Sequence, residues 1–159
     1  MARIASLEKK GNFSVGMYQE SGVHRESGFT YVSLFKYLCE GNSAMNLPAR
    51  PALDLAFIYN PLSTSPMKKA LTKYLSNIKV KHKNKDINEV MDEVGSFYRK
   101  EVYDIFGDES KIAANSFSTK MQKLEQGFDP NKPLIKTGSL RSKISYKNEH
   151  TGTIFEYTG

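Results

Sequence analysis

The sequence lacks several features that would point directly to a class of protein. It contains one cysteine, Cys39, no tryptophan, and no apolar run near the roughly 18 residues that a membrane-spanning helix requires. A single cysteine cannot form an internal disulfide. Because Cys39 lies in an apolar stretch, we expect a small buried residue in a reducing compartment; an intermolecular disulfide is the alternative. Residues 1–10 carry charges where a signal peptide would be apolar, which predicts folding in the cytoplasm.

Patterns typical of catalysis and metal binding are also missing. The histidines His24, His82 and His150 are far apart, and none has metal-ligand spacing to another histidine or to Cys39. No glycine-rich phosphate loop occurs. The carboxylates of residues 86–93 fall on the solvent face of a predicted helix, where capping and solvation account for them. We therefore predict no catalytic residue, no metal site and no cofactor; an enzyme with a site assembled from distant residues is an outside alternative.

What the sequence does contain is a succession of strand and helix patterns. Apolar and polar residues alternate over 12–18 and again near the C-terminus, over 144–157, which predicts a strand and a hairpin. Between them, the prolines of residues 47–51 (LPARP) predict an extended link. Apolar residues recur at helical spacing in the segments 31–40, 66–78, 86–106 and 112–124.

The length and the order of these elements predict one domain over residues 1–159. Strands at both ends with helices between them indicate an α+β fold. We expect a small, mainly antiparallel sheet, formed by the N-terminal and C-terminal strands and packed against several α-helices.

The net charge of +6 allows contact with an acidic partner. Residues 79–85 form an alternating lysine run, which predicts an exposed basic loop or sheet edge able to contact DNA or an acidic surface. The lysines of this run are Lys79, Lys81, Lys83 and Lys85. A second basic cluster follows at Lys132, Lys136, Arg141, Lys143 and Lys147. These residues support one alternative function, a small basic nucleic-acid-binding protein.

Several short motifs occur in a particular order along the chain. They are residues 15–18 (VGMY), 40–42 (EGN), 47–51 (LPARP), Asn115 with Thr119, and 133–146 (PLIKTGSLRSKISY). This ordered set resembles the neck and tail-completion proteins of tailed bacteriophages, also described as virion-morphogenesis proteins. The chain departs from that pattern at residues 52–54 (ALD), where PFxR is common, and at Lys136, where an aspartate is common.

The resemblance implies a structural virion protein. Such a protein would form a homo-oligomeric, hexameric ring in the neck, between the capsid connector and the tail, and would be needed for head-tail joining or tail completion. Its partners would be connector or head-completion proteins and tail terminator, tube or sheath proteins, with non-specific contact to DNA in the channel and none to membrane. The protein would be made in the bacterial cytoplasm and located in the virion.

The motif residues most relevant to architecture or interfaces are Arg50, Pro51, Pro133, Leu134, Thr137, Gly138, Leu140, Arg141 and Ile144. In the last motif, Pro133 would fix the backbone conformation at the start of the segment. Thr137 would cap a turn that Gly138 allows to bend sharply. Leu134, Leu140 and Ile144 would lie in the core. We expect Arg141 to project outward toward a carboxylate on a neighbouring subunit. The acidic segment 86–93 and the basic C-terminal stretch would then complement each other between subunits.

Overall fold

The computed structural model describes residues 12–61, 66–76 and 87–156, and within these ranges the chain forms three strands and five α-helices. The elements in chain order are β1 (Phe13–Gly16), α1 (Tyr31–Glu40), α2 (Ala52–Tyr59), α3 (Pro66–Ser76), α4 (Ile87–Ile105), α5 (Phe117–Glu125), β2 (Ser145–Asn148) and β3 (Ile154–Phe155). The prediction of an α+β fold is confirmed. The predicted basic loop, with Lys79, Lys81, Lys83 and Lys85, lies outside the described residues.

The three strands form one antiparallel sheet with β2 in the centre. Phe13 of β1 lies opposite Asn148 of β2, and Tyr146 of β2 lies opposite Phe155 of β3. The rings of Tyr146 and Phe155 stack with their centroids 4.6 Å apart. Since β1 is N-terminal and the other two strands are C-terminal, the predicted pairing between the two ends of the sequence is present.

Helix α4 packs across the sheet and contributes to both parts of the core. Its first half buries Met91, Val94 and Tyr98 beside α3. Its second half buries Val102 and Ile105 in a cluster shared with α1, α2 and the residues before β2. The apolar stripe that predicted this helix is therefore the stripe that forms the core.

Gly95 lets α4 approach the sheet closely. A Cβ atom added at Gly95 would lie 2.5 Å from Cδ2 of Tyr146, far inside van der Waals contact. The Tyr146 ring has little room to move, because Phe155 stacks on it and the Arg99 guanidinium lies 5.7 Å from its centroid. Any side chain at residue 95 would thus push the helix away from β2.

Helix α2 was not predicted. Residues 48–51 are irregular, as the prolines of LPARP require. A helix then begins at Ala52 and ends at Tyr59. Ala52 and Ala56 are fully buried in the core cluster shared with α4. The helix has apolar residues on most sides, so its sequence lacks the contrast between two faces that reveals a helix.

Helix α5 exposes its apolar face, whereas α4 buries its own. Ser116 caps its N-terminus by accepting a hydrogen bond from the Thr119 amide at 3.3 Å. The sequence predicts this helix over 112–124, but it begins at Phe117, so Ile112 and Ala113 precede it. The other three apolar positions of the pattern, Phe117, Met121 and Leu124, are 81%, 42% and 54% exposed. The buried residue of α5 is Lys123. Across the described ranges, no helix combines the length and apolar character needed to span a membrane.

Candidate functional site

The segment 133–140 forms a fixed turn against the end of α4. The Pro133 carbonyl accepts a hydrogen bond from the Gly107 amide at 2.9 Å. Leu134 has φ +62°, an uncommon left-handed conformation for a leucine, and Gly138 has φ +85°. The Thr137 hydroxyl accepts a hydrogen bond from the Ser139 amide at 3.4 Å. The backbone thus reverses direction within a few residues and leads into the 3-10 turn Arg141–Lys143.

The apolar residues of this segment attach it to the core. Leu140 and Ile144 are buried in the cluster shared with α1, α2 and α4, and Leu134 and Ile135 pack against its edge. Pro133 is also buried. These residues hold the turn to the body of the protein.

Arg141 does not project outward, and that prediction is wrong. Its guanidinium stacks on the Tyr103 ring, 3.6 Å from the centroid, and its Nε donates to the Tyr103 carbonyl at 2.9 Å. Nη2 lies 3.9 Å from Oδ1 of Asp104. Tyr103 and Asp104 both belong to α4, so Arg141 ties the turn to this helix within one chain.

Arg50 is an internal residue as well. It is 5% exposed, its Nε donates to the Ala113 carbonyl at 2.8 Å, and its Nη2 donates to the Ala114 carbonyl at 2.9 Å. Burial lowers the pKa of the Arg50 guanidinium. Arg50 therefore holds the loop before α5, while the next residue, Pro51, occupies the N-cap position of α2.

Lys123 is a site residue that the sequence did not reveal. It is 8% exposed, and its Nζ donates to the carbonyls of Lys132 at 2.6 Å and Ile135 at 2.5 Å. Burial lowers the pKa of the Lys123 ammonium, and the nearby Arg50 charge lowers it further, although Asp129 and Glu109 oppose both effects. Its place on the polar side of an amphipathic pattern gave no signal of burial.

These segments surround a cleft of about 570 Å³. Its walls are formed by α1, by residues 47–50, by the first turns of α5 and by residues 134–140. Arg50 and Lys123 both line it, together with Asn115, Thr119 and Thr137. Residues from separate motifs of the sequence are therefore neighbours in space, and we refer to this space as the motif cleft.

The motif cleft carries positive charge. Arg50, Lys123 and Lys136 line it, against a single carboxylate, Glu26, which is already paired with Lys136 at 3.0 Å. Leu34, Leu38 and Leu140 add an apolar wall. Within the described ranges, no group of three or more His, Cys, Asp or Glu residues is placed to hold a metal ion. The arrangement suits the binding of an anionic group next to an apolar one.

Cys39 lies at the end of α1 and packs against the core. Burial is the largest cause that raises the pKa of its thiol to about 11. A thiol with this pKa is almost entirely protonated at neutral pH. The side chain is half-buried, short of the burial that the sequence predicted, and has the character of a small hydrophobic residue.

The exposed residues Phe117, Met121 and Leu124 form a second feature of interest, which we call the α5 stripe. They follow helical spacing, so they share one side of α5. Lys123, by contrast, points into the protein. Helix α5 thus contributes a cation to the motif cleft and an apolar surface to the solvent.

Similarity to known proteins does not identify the chain. No protein-family model, curated protein or solved structure matches it at a significant level.

Proposed function

We propose that this protein is a structural virion component of a tailed bacteriophage, forming a ring in the neck between the capsid connector and the tail. One observation carries the proposal. The motif segments 47–50, 115–119 and 134–140, which are far apart in the sequence, lie around the motif cleft, and segment 40–42 lies in a neighbouring groove lined also by residues 46–49, Ala114 and Ser116. Residues 15–18 line neither space. Independent turns would have no reason to gather in one place, so the motifs are better explained as parts of one structural unit.

A surface suitable for assembly supports the same proposal. Monomeric proteins expose single apolar residues, but a contiguous apolar face more often marks a binding surface. The α5 stripe is such a face. A closed ring needs two different complementary surfaces on each subunit, and the α5 stripe supplies a candidate for one of them. It takes the place of Arg141, which is held by α4 within its own chain.

The alternative of a nucleic-acid-binding protein receives less support. Much of the C-terminal basic cluster is paired with carboxylates of the same chain: Lys136 with Glu26 at 3.0 Å, Lys143 with Glu156 at 4.0 Å and Lys147 with Glu149 at 3.2 Å. Pairing reduces the charge that can be offered to phosphates. We therefore favour protein partners, namely further copies of the chain and the adjacent connector and tail proteins.

The decisive experiment removes the α5 stripe in the phage that encodes the protein. We expect Phe117→Ser, Met121→Ser and Leu124→Ser together to yield full heads and free tails that fail to join, visible in electron micrographs. The side chains are exposed, so each change should alter the free energy of unfolding by only about 0.5 kcal/mol. Purified variant protein should accordingly unfold close to the wild-type midpoint.

A matched control is available on α2. Ile58 and Tyr59 are 66% and 51% exposed, and Ile58→Ser with Tyr59→Ser removes apolar surface from a different helix. This control should produce joined particles. Normal joining of heads and tails by the variant that lacks the α5 stripe would refute the proposal that the stripe is an assembly interface. Salt-sensitive binding of duplex DNA by the isolated monomer, with no ring in any preparation, would favour the nucleic-acid alternative.

A further inference from the structure

The motif cleft contains two buried cations whose charges are not neutralised by direct contact. The hydrogen bonds of Arg50 go to the carbonyls of Ala113 and Ala114, and those of Lys123 go to the carbonyls of residues 132 and 135. All four acceptors are uncharged. Buried charges in proteins are usually paired with an opposite charge. Within the described residues, no carboxylate reaches either cation at ion-pair distance; Asp129 and Glu109 act on Lys123 only from further away.

Both cations retain hydrogen-bonding capacity. A guanidinium carries N–H groups on all three nitrogens, and among the described residues Nη1 of Arg50 has no acceptor. The Lys123 ammonium uses two of its N–H groups on main-chain carbonyls and keeps another. The main chain thus fixes the positions of both cations and leaves donors available to a ligand in the cleft.

We propose that the motif cleft binds a carboxylate side chain of a partner protein, presented on a segment in which apolar residues flank the acidic one. The charge of the cleft selects an anion, since Glu26 is paired with Lys136 and the charges of Arg50 and Lys123 remain. The wall of Leu34, Leu38 and Leu140 selects apolar neighbours. This inference holds whether or not the partner belongs to a phage.

The depth of the cations favours a protein side chain over nucleic acid. Arg50 and Lys123 lie below the surface, so only a narrow projecting group reaches them. The phosphates of a DNA duplex lie on a broad, stiff cylinder, which is read by exposed basic residues. A cleft of about 570 Å³ has the size of sites that hold a side chain and a short length of peptide.

A pair of peptides tests the proposal on the wild-type protein. The probe is a blocked Gly-Leu-Glu-Leu-Gly peptide, and its matched control replaces the glutamate by glutamine. Binding is followed by NMR through the Arg50 Nε–H signal and the amides of Gly138 and Ser139. We expect the glutamate peptide to shift these signals and to bind at least about tenfold more tightly than the glutamine peptide, because charge-assisted hydrogen bonds are stronger than neutral ones.

Variants then assign the interaction to the two cations. Arg50→Gln and Lys123→Gln should each weaken binding of the glutamate peptide at least about tenfold. The control is Lys100→Gln on α4, which removes one positive charge outside the cleft and should leave the affinity unchanged. If a cleft variant fails to fold, the comparison of the two peptides on wild-type protein still decides the question.

Three results would overturn the proposal: equal affinities for the two peptides, no binding of either, or shifts confined to residues outside the cleft. A short DNA duplex that moves the same signals at lower concentration than the glutamate peptide would also overturn it, in favour of a phosphate ligand. Shifts of these signals on raising the concentration of the protein alone, abolished by acetate, would support it and would identify a second copy as the partner.

Discussion

Helices α4 and α5 both have amphipathic sequences, but α4 buries its apolar face and α5 exposes it. In α4 the apolar stripe is the core, with Met91, Val94 and Tyr98 fully buried. In α5 the apolar stripe faces solvent, and Lys123 is the residue inside. The comparison shows that periodicity identifies a helix and its two faces, but the surroundings decide which face is buried. Around α5 those surroundings are main-chain carbonyls, which require a donor.

The largest expected difference in stability between the two helices comes from replacing one methionine in each. Met91→Ala should lower the free energy of unfolding by about 2–5 kcal/mol, because it leaves a cavity in a packed core. Met121→Ala removes the same atoms from a half-exposed position and should cost about 0.5 kcal/mol or less. Urea unfolding of both variants measures the difference, and equal losses would contradict the assigned orientations.

The buried lysine provides the next test. Lys123→Met should lower the free energy of unfolding by about 1–3 kcal/mol, since the carbonyls of Lys132 and Ile135 lose their donor. Lys100 on α4 has a side chain that is 68% exposed and is paired with Asp104, so Lys100→Met should change stability by only about 0.5 kcal/mol. Denaturation of the two variants side by side gives the comparison. A variant at residue 123 as stable as wild type would show that the ammonium contributes no net stabilisation.

A substitution at the close contact between α4 and the sheet should have a smaller effect on the free energy of unfolding. Gly95→Ala gains helix propensity but forces its methyl group into the Tyr146 ring, for a net loss of about 1 kcal/mol. The control is Gly16→Ala in β1, where an added Cβ would have no atom within 4 Å and stability should be unchanged. Thermal unfolding of both proteins would test this, and a Gly95→Ala protein more stable than wild type would show that the ring moves aside freely.

The smallest effect concerns pH. Burial lowers the pKa of Lys123 below its unfolded value of 10.5, so between the two values the unfolded chain binds more protons than the folded one. The stability of the wild type, relative to that of Lys123→Met, should therefore increase as the pH rises toward 10.5. Cys39, Tyr18 and Tyr146 have raised pKa values and act in the other direction, but they are common to both proteins. A constant difference in urea midpoint across this range would contradict the shift.

Much of the secondary structure could be predicted because it depends on local pattern. The segment 31–40 forms α1 with the predicted bounds, and 86–106 forms α4 to within a residue at each end. The C-terminal hairpin is also present. Helix α2 could not be recognised, since a helix that is apolar on most sides shows no contrast between its faces.

The candidate site was less accessible to sequence reasoning, because its contacts are long-range. Arg141 was expected to project outward, yet Tyr103 and Asp104, far away in the sequence, hold its side chain against α4. The burial of Lys123 has no signal in the sequence, since its acceptors belong to a turn whose path is set only by the packed fold. The motif residues around the cleft were identified as a set, but their meeting in one place required the structure.

The order of the strands in the sheet has a consequence for synthesis. The central strand, β2, pairs with β1 from the other end of the sequence: Phe13 lies opposite Asn148, and Gly16 lies opposite Ser145. On the ribosome, β1 emerges early, and its open edge has no partner until β2 follows. Pairing of such distant strands is slow, and unpaired edges favour aggregation in the meantime. A nascent chain interrupted before residue 145 would therefore contain the five described α-helices but lack β2, the strand with which both β1 and β3 pair.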